Sequence, residues 1–140
     1  MIWVLDASVA IKWFFTDELE RDEALAVLEA LTNHPDNFFV PDFFYHELTA
    51  VLIRKSGFQK AFVRESIATI YQMGIRTANL GEELAKEAIS LSCQHKISFY
   101  DAIYVALAVT LKGRWLTSDQ KAVKKLPSRN ALHLTEFSVS

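Results

Sequence analysis

Short apolar runs separated by helical patterns extend along the whole chain, and this alternation constrains the fold more than any other feature. Strands are predicted at residues 2–5, 38–40, 115–117 and 131–134, with a weaker one at residues 75–78. Continuous apolar runs of this length are typical of strands buried on both faces of a parallel sheet. Strands that alternate with helices predict an α/β domain whose central, mostly parallel sheet is flanked by helices.

Seven segments have the apolar periodicity of helices that cover such a sheet. The helix predicted from Ser98 to Gly113 is apolar nearly all round, which indicates burial on most of its sides. Asp42 is predicted to cap the third helix, which ends near Gly57. In chain order the helices are predicted at residues 9–15, after Asp17 and Glu20 with the core stripe Leu25, Leu28 and Leu31, and at residues 42–57, 59–73, 82–93, 98–113 and 120–126.

Composition describes one ordinary domain, and we expect residues 1–140 to form it. The chain is 51% hydrophobic, which is enough for a sizeable core, and its net charge of −2 excludes a strongly basic nucleic-acid coat. Cys93 is the only cysteine, which excludes disulfides within the chain and favours a reducing compartment. No basic segment precedes the first apolar run, and no run is long enough to span a bilayer. We therefore expect a cytoplasmic protein with no membrane partner.

Four carboxylates occupy positions where an acid is costly, at strand ends or on predicted helices that face the core. Asp6 directly follows the first strand and Asp119 follows a late one, so both lie at the sheet edge where α/β proteins bind ligands. Glu47 lies on the apolar face of the third helix, and Asp101 begins the most apolar helix. Carboxylates that converge repel each other, and a hard divalent cation bound through oxygen is the usual remedy. The sequence therefore predicts a metal site.

Each acid also has a simpler structural interpretation when it is taken alone. Asp6 and Asp119 are suitable N-caps for the helices that follow them. Asp101 follows Ser98 by three residues, as in a capping box with Asp in place of Glu. Glu47 can instead pair with an arginine or lysine from elsewhere in the chain. Capping does not explain why the acids gather at one edge of the sheet, so the metal site is preferred.

The remaining chemically active side chains give weaker signals. Cys93 is interpreted as a core residue of a helix and not as a nucleophile. Lys12 is interpreted as an exposed lysine beside the core residue Trp13. Most of the basic residues around Gly57 and toward the C-terminus are expected to be solvated, with a few near the acids that steer a polyphosphate backbone. The histidines lack the spacing of a metal site and are interpreted as incidental: His34, His46, His95 and His133.

Four motifs, in order along the chain, resemble the PIN-domain family, and more narrowly the VapC-type toxin ribonucleases of toxin–antitoxin systems. The first two are VLDAS at residues 4–8 and PDFFYHEL at residues 41–48. The others are SFYDA at residues 98–102, followed by ALA at residues 106–108, and LTSD at residues 116–119. The resemblance covers essentially the whole chain. It is specific because all four motifs occur together in a chain of this size.

This resemblance implies a central parallel sheet, cleavage of RNA, dependence on Mg²⁺ or Mn²⁺, homodimerisation and inhibition by a small antitoxin. We expect Asp6 and Asp101 to be the principal metal ligands, and Glu47 and Asp119 to bind directly or through water. The expected activity is that of a metal-dependent endoribonuclease, in which an activated water hydrolyses phosphodiester bonds. Single-stranded RNA is the expected substrate, because its phosphates and bases are accessible.

Ser8 and Thr117 are expected to orient the first acid and its water, although many relatives carry Asn where this chain has Ser8. Three other interpretations stay open. A phosphoacceptor receiver domain requires adjacent acids after its first strand, and here Leu5 precedes Asp6. A haloacid-dehalogenase-like phosphatase requires a second Asp at the position of Ser8. The third is a catalytically degenerate PIN domain that acts as a binding module. The only argument against it is that the set of acids is intact.

Aromatic content predicts an exposed surface for partners. Ten Phe, three Trp and four Tyr are too many for the core of so small a chain to bury. An exposed apolar surface favours a twofold homodimer and offers a groove for an amphipathic antitoxin segment. The resemblance supplies the identity of the antitoxin, and composition supports only the surface. Surplus apolar side chains on the third and fourth helices mark it: Phe43, Phe58, Phe62 and Tyr71.

Overall fold

The computed structural model describes residues 1–138 and has a five-stranded sheet at its centre. Every neighbouring pair of strands is parallel, in the order β3-β2-β1-β4-β5. This arrangement confirms the prediction of an α/β domain built on a parallel sheet, including the weaker strand near residue 76. The strands are β1 (Trp3–Leu5), β2 (Phe38–Pro41), β3 (Arg76–Ala78), β4 (Arg114–Thr117) and β5 (Ala131–His133).

Seven α-helices within residues 1–138 cover the two faces of the sheet. They are α1 (Ala7–Ala10), α2 (Arg21–Asn33), α3 (Phe44–Lys55), α4 (Lys60–Gln72), α5 (Glu82–His95), α6 (Phe99–Thr110) and α7 (Gln120–Lys124). Short 3₁₀ turns cover Ile11–Trp13, Pro35–Asn37 and Leu134–Glu136. In this part of the chain, none of the helices combines the length and apolarity needed to cross a membrane.

Successive side chains of β1 enter two hydrophobic cores, one on each face of the sheet, because side chains alternate along a strand. Leu5 enters the core that α1 to α4 cover, where Phe44 and Leu48 are fully buried. Val4 enters the core that α5 and α6 cover, together with Trp115 from β4. Every residue of α6 from 102 to 108 is buried, as its apolar composition predicts.

The register of β1 and β4 brings their carboxyl ends together, and this edge positions the acids. Leu5 pairs with Leu116, and the amide of Asp6 donates to the carbonyl of Leu116 at 3.0 Å. Gly113 allows the chain to enter β4 this close to β1, because a Cβ at this position would collide with the carbonyl oxygen of Ile2.

Two predicted helix starts are wrong in detail. Residues 9–15 do not form one helix: α1 begins at Ala7, capped by the Asp6 side chain, and a 3₁₀ turn follows it. Phe43, not Asp42, is the N-cap of α3. Asp42 still belongs to the end of the strand region, since its amide donates to the carbonyl of Ala78 at 2.9 Å. Tertiary pairing with β3 therefore overrides the local capping preference of Asp42.

Of the predicted stripe of α2, Leu31 is buried as expected, but the first two leucines are not. Ala24 and Val27 are fully buried, whereas Leu25 and Leu28 are only partly buried and pack against the edge of the core. The smaller side chains face inward because α2 lies close to the 3₁₀ turn Ile11–Trp13, where the indole of Trp13 donates to the carbonyl of Ala24 at 2.7 Å.

Candidate active site

Three of the four predicted acids line one cleft at the carboxyl edge of the sheet. Asp6 follows β1, Glu47 lies on α3, and Asp101 lies in the first turn of α6. The cleft has a volume of about 280 Å³, and its walls also include Ser8, Ser118, Ile11, Lys12, Glu18 and Val51. Three carboxylates from three separate elements therefore face a common space, as their positions in the sequence predict.

Asp6 is the most deeply placed acid, with a residue exposure of 6%. Its Oδ2 accepts a hydrogen bond from the Thr117 hydroxyl at 3.0 Å, another from the Ser8 hydroxyl, and a longer one from the Ser8 amide. Burial raises the pKa of Asp6, and the hydrogen bonds from Ser8 and Thr117 oppose that rise. Ser8 and Thr117 thus fix the orientation of this carboxylate from two sides.

The same two hydroxyls also hold the loop that follows β4. The amide of Ser118 donates to the Ser8 hydroxyl at 3.1 Å, and the amide of Asp119 donates to the Thr117 hydroxyl at 3.1 Å. Their own oxygens lie 3.3 Å apart. One compact network therefore joins the chain after β1 to the chain after β4, and the first acid is part of it.

Glu47 and Asp101 have strongly raised pKa values. Burial is the larger cause and the negative charge of Asp6 is the second, which together raise the pKa of Glu47 to about 7 and that of Asp101 to about 6. The hydroxyl of Tyr104 donates to Glu47 Oε1 at 3.2 Å and lowers its pKa, although not enough to cancel the rise. Both carboxylates therefore take up a proton at a higher pH than an exposed acid does.

Asp119 differs from the other three acids. It is exposed, it caps α7 by accepting a hydrogen bond from the amide of Ala122 at 3.1 Å, and it is not part of the cleft wall. Its negative charge still raises the pKa of Asp101, so the two carboxylates lie near each other. The capping interpretation and the site interpretation are thus both compatible with its position at the rim.

Tyr104 and Trp115 belong to the site, although neither was predicted as a site residue. Tyr104 is 1% exposed, stacks on the indole of Trp115 at 5.9 Å and contacts Glu47 through its hydroxyl. The indole N–H of Trp115 is buried and, among residues 1–138, has no acceptor in hydrogen-bonding geometry, yet it lies near enough to Asp6 to lower its pKa. The signal available in the sequence was a tyrosine within an otherwise apolar helix, three residues after Asp101.

Three weaker predictions are wrong. Lys12 is not exposed: it is 7% exposed, and its amino group donates to the carbonyl of Leu19 at 2.8 Å beside two glutamates. Cys93 is exposed on α5, so it does not fill the core. Phe43 is only partly exposed, because it packs edge-on against Tyr104.

His133, predicted to be incidental, has a structural role at the end of β5. Its Nδ1 accepts a hydrogen bond from the amide of Thr135 at 3.2 Å, which leaves Nε2 to donate to the carbonyl of Ser118 at 3.1 Å. The ring thereby supports the loop that carries Asp119. Its burial inside this loop region could not be read from the spacing of the histidines.

The donor set suits a hard cation, but the side chains are not drawn together around one point. Within residues 1–138, no three His, Cys, Asp or Glu side chains lie close enough to form a ready-made metal cluster. The polar groups of the cleft wall, apart from Lys12, include carboxylate and hydroxyl oxygens, which are the ligands that Mg²⁺ and Mn²⁺ prefer. Burial and the negative charge of Asp6 raise the pKa values of Glu47 and Asp101, so a nearby cation would favour their ionised forms.

Comparison with known proteins identifies the family. A family model described as the PIN domain matches residues 3–127, which is most of the chain. The protein therefore belongs to the PIN-domain family, as the four motifs indicate. This membership replaces the receiver-domain and phosphatase interpretations.

Three individual proteins show what kind of PIN-domain protein this chain is similar to. Ribonuclease VapC3 of Pyrobaculum aerophilum is 41% identical over 46 residues, which are 33% of this chain and 35% of that protein. The solved structure of VapC20 from Mycobacterium tuberculosis, a toxin that cleaves the sarcin–ricin loop, has a TM-score of 0.69 and 16% identity over 87% of this chain and 93% of that chain. A toxin–antitoxin complex from Klebsiella pneumoniae has a TM-score of 0.67 and 19% identity over 96% of this chain and 98% of that chain. At these identities the two structures show a shared fold.

Proposed function

We propose that the protein is a divalent-metal-dependent endoribonuclease that acts as the toxin of a toxin–antitoxin pair. The observation that carries the proposal is the cleft in which Asp6, Glu47 and Asp101 meet from three elements, two of them with pKa values of about 7 and 6. Carboxylates whose ionised forms are this costly are stabilised by a bound cation. The PIN-domain match and the short match to a ribonuclease support RNA as the substrate.

Asp6 and Asp101 are the residues proposed to hold Mg²⁺ or Mn²⁺, with Glu47 and Asp119 acting directly or through water. When bound, such an ion supplies Lewis acidity at the scissile phosphate and lowers the pKa of a water molecule. Ser8 and Thr117 keep the Asp6 carboxylate in one orientation, so its geometry is set before substrate arrives.

Glu47 is suited to handle a proton in this reaction. Its pKa of about 7 in the protein without metal suits a proton acceptor when Glu47 acts through water and is not itself a ligand of the ion. Tyr104 donates a hydrogen bond to one of its oxygens. Hydrolysis by water, and not by the ribose 2′-hydroxyl, leaves a 5′-phosphate and a 3′-hydroxyl on the products.

Cleavage of RNA with end mapping tests this activity. Purified protein is incubated with total RNA in the presence of Mg²⁺ or Mn²⁺, or of excess EDTA, and the fragment ends are determined. We expect cleavage only with the cation, and products with 5′-phosphate and 3′-hydroxyl ends. Cyclic-phosphate products, or cleavage that persists in EDTA, would contradict the proposal.

The proposed partners are a small antitoxin and a second copy of this chain. Helices α3 and α4 form an apolar groove of about 380 Å³, lined by Thr49, Ile53, Phe58, Lys60, Val63 and Arg64. Phe58 is 78% exposed and Tyr71 is 56% exposed. Exposed aromatic side chains beside a groove are suited to an amphipathic segment of a partner. The likeness to a chain of a toxin–antitoxin complex supports an antitoxin as that partner.

Co-expression with the product of the adjacent small open reading frame, followed by light scattering, tests these partners. We expect poor growth when the protein is expressed alone, rescue by the second product, and a homodimer in solution. An Ile53→Lys variant should lose rescue while it retains cleavage. A monomer that neither binds that product nor impairs growth contradicts the toxin role and leaves the nuclease role standing.

A further inference from the structure

Two lysines and a glutamate form a charged cluster at one end of the acidic cleft. Glu18, in the loop before α2, lies between Lys12 and Lys55: its Oε1 is 4.0 Å from the amino group of Lys12, and its Oε2 is 3.2 Å from that of Lys55. Glu18 and Lys12 both line the cleft that contains the three catalytic-site acids. We call these three residues the Glu18 bridge. One carboxylate thus pairs with two ammonium groups beside the candidate active site.

Lys12 is held rigidly in this position. Its side chain is 9% exposed, its amino group donates to the carbonyl of Leu19, and its own carbonyl accepts a hydrogen bond from Arg21 Nε at 3.2 Å. Glu20 lies 3.9 Å from the same amino group. Two carboxylates therefore surround a single buried ammonium, and one can leave without exposing an unpaired charge.

Lys55 lies beyond the cleft wall, on the same face of α3. Glu47, Val51 and Lys55 are four residues apart, so they share one face of the helix, and Lys55 lies roughly 12 Å along the axis from Glu47. The ammonium of Lys55 lies 5.0 Å from the centre of the Phe15 ring, a contact that restrains its position. A polynucleotide whose scissile phosphate lies among the acids would pass Lys55 with a neighbouring phosphate.

The two lysines offer positive charge to a polyanionic substrate beside a cleft of acids. Asp6, Glu47 and Asp101 repel phosphates, and cations that bind the acids neutralise only the region near the scissile bond. A carboxylate bridging two ammonium groups imitates a phosphate, because both present two anionic oxygens to the donors. Glu18 is only 22% exposed at its side chain, yet it reaches the cleft from a loop.

We propose that Lys12 and Lys55 form a subsite for a backbone phosphate of single-stranded RNA, which Glu18 occupies in the free protein and which the incoming phosphate takes over. The subsite rests on the proposed ribonuclease function. It adds to that function a second anchoring point for the RNA backbone, and it makes Glu18 an internal competitor of the substrate.

A double-mutant cycle on RNA binding tests the subsite. The probe is a fluorescein-labelled single-stranded RNA dodecamer, its binding is followed by anisotropy with Mg²⁺, and all variants carry Asp101→Asn to prevent hydrolysis. Lys55→Gln should weaken binding roughly tenfold, the value of one charge-assisted contact, and reduce the salt dependence by about 0.7 in the log–log slope. Glu18→Gln should tighten binding by about three- to tenfold.

The decisive outcome is the coupling between the two positions. If Glu18 competes with phosphate for Lys55, most of the gain from Glu18→Gln disappears in the Lys55→Gln background. If Glu18 acts only as a distant negative charge, the gain persists in that background, and the proposal is overturned. Thermal unfolding checks that each variant is folded.

Glu82 and Lys86 provide a matched control. They form a 2.8 Å ion pair on α5, and neither residue belongs to the cleft wall. Glu82→Gln and Lys86→Gln change the net charge by the same amounts as the test variants, and we expect each to alter RNA binding by less than about twofold. Equal effects from the control pair would overturn the subsite. RNA cleavage by the protein with Asp101 intact, measured in parallel, reports separately on the proposed ribonuclease function.

Discussion

The two cavities beside helix α3 are energetically unfavourable for different reasons. On one side, Glu47 and Val51 face the acidic cleft, where the carboxylates themselves are the unfavourable element. On the other side, Thr49 and Ile53 face the groove toward α4, whose wall is almost entirely apolar. The cleft is destabilised by the burial and mutual repulsion of its carboxylates, and the groove by apolar surface that is exposed to water. One helix therefore presents two unsatisfied surfaces, and each indicates a different kind of ligand.

We therefore expect substitutions in the cleft to alter RNA cleavage and its pH dependence. Substitutions in the groove should alter binding of partners and leave cleavage unchanged. Substitutions on the two sides can therefore be compared directly, with cleavage and unfolding measured on the same variants.

The largest effect is expected from Asp6→Asn. Removal of this charge should reduce RNA cleavage by about 100- to 1,000-fold, the range for loss of one preorganised electrostatic group, while the fold is retained. Asn can still accept hydrogen bonds from Ser8 and Thr117. In the wild type, Mg²⁺ should raise the melting temperature, and this response should be lost in the variant.

The control for Asp6→Asn is Asp36→Asn, which changes an exposed acid paired with Arg76 far from the cleft. It should leave cleavage unchanged. Unfolding of the Asp6→Asn variant, with a wild type that ignores Mg²⁺, would mean that the acids of the cleft are structural caps.

A smaller effect, on stability, is expected from Glu47→Gln. The pKa of Glu47 is about 7 in the folded protein and near 4.5 in the unfolded chain, so its protonation stabilises the fold below about pH 4.5, and this contribution is lost as the pH rises through 7. Above pH 7 and without metal, Glu47→Gln should raise the free energy of unfolding by roughly 1 to 2 kcal/mol, after allowance for screening of a half-buried group.

Denaturant unfolding in EDTA between pH 4 and pH 8 measures this difference, with the exposed Glu65→Gln on α4 as control. The advantage of Glu47→Gln should shrink to zero toward pH 4. An advantage that is independent of pH would show that charge is not its cause.

Tyr104→Phe should change the cleft more subtly. The variant keeps the ring that packs on Phe43 and Trp115 but loses the hydroxyl that donates to Glu47, so the pKa of Glu47 should rise further. The lost hydrogen bond is worth about 1 kcal/mol. The acid limb of the cleavage profile should move to higher pH, and carboxyl NMR of Glu47 should show the same direction. Tyr100→Phe, at an exposed position of the same helix, should leave both unchanged.

The smallest effect is expected in the groove, from Phe58→Asn. Phe58 has a left-handed backbone (φ 64°) and is 78% exposed, so Asn relieves strain and loses little burial. The variant should be more stable by about 0.5 to 1 kcal/mol, cleave RNA normally and bind the antitoxin less tightly. Phe62→Asn, in the helix and packed against Phe15, should instead lose stability. Lower cleavage by Phe58→Asn would contradict the separation of the two sides.

The sequence predicted the fold well because the information for it is local. Apolar runs such as residues 2–5 and 115–117 predict buried strands, and the acids that directly follow them are necessarily at the carboxyl edge of a parallel sheet. Glu47 shares a helix face with Phe44 because residues three apart lie on the same side of a helix. These rules placed Asp6, Glu47 and Asp101 correctly at one cleft.

Such rules do not predict which residues of separate elements come into contact. Lys12 seemed a surface residue, but the loop before α2 folds over it and supplies Glu18 and Glu20. Asp is a common helix N-cap, but the amide of Asp42 pairs with the carbonyl of Ala78, and α3 begins later in the chain. In both cases a segment distant in sequence or in a different element overrides the local preference.

By itself, therefore, the sequence determined the order of strands and helices and the edge of the sheet that carries the acids, since both follow from periodicity and chain direction. Only the tertiary structure decided how the acids differ: Asp6 is buried and held by two hydroxyls, Glu47 contacts Tyr104, and Asp119 stays exposed at the rim. The physical reason is that a carboxylate's pKa depends on its burial and on charges a few ångströms away, and both are fixed when distant segments pack together.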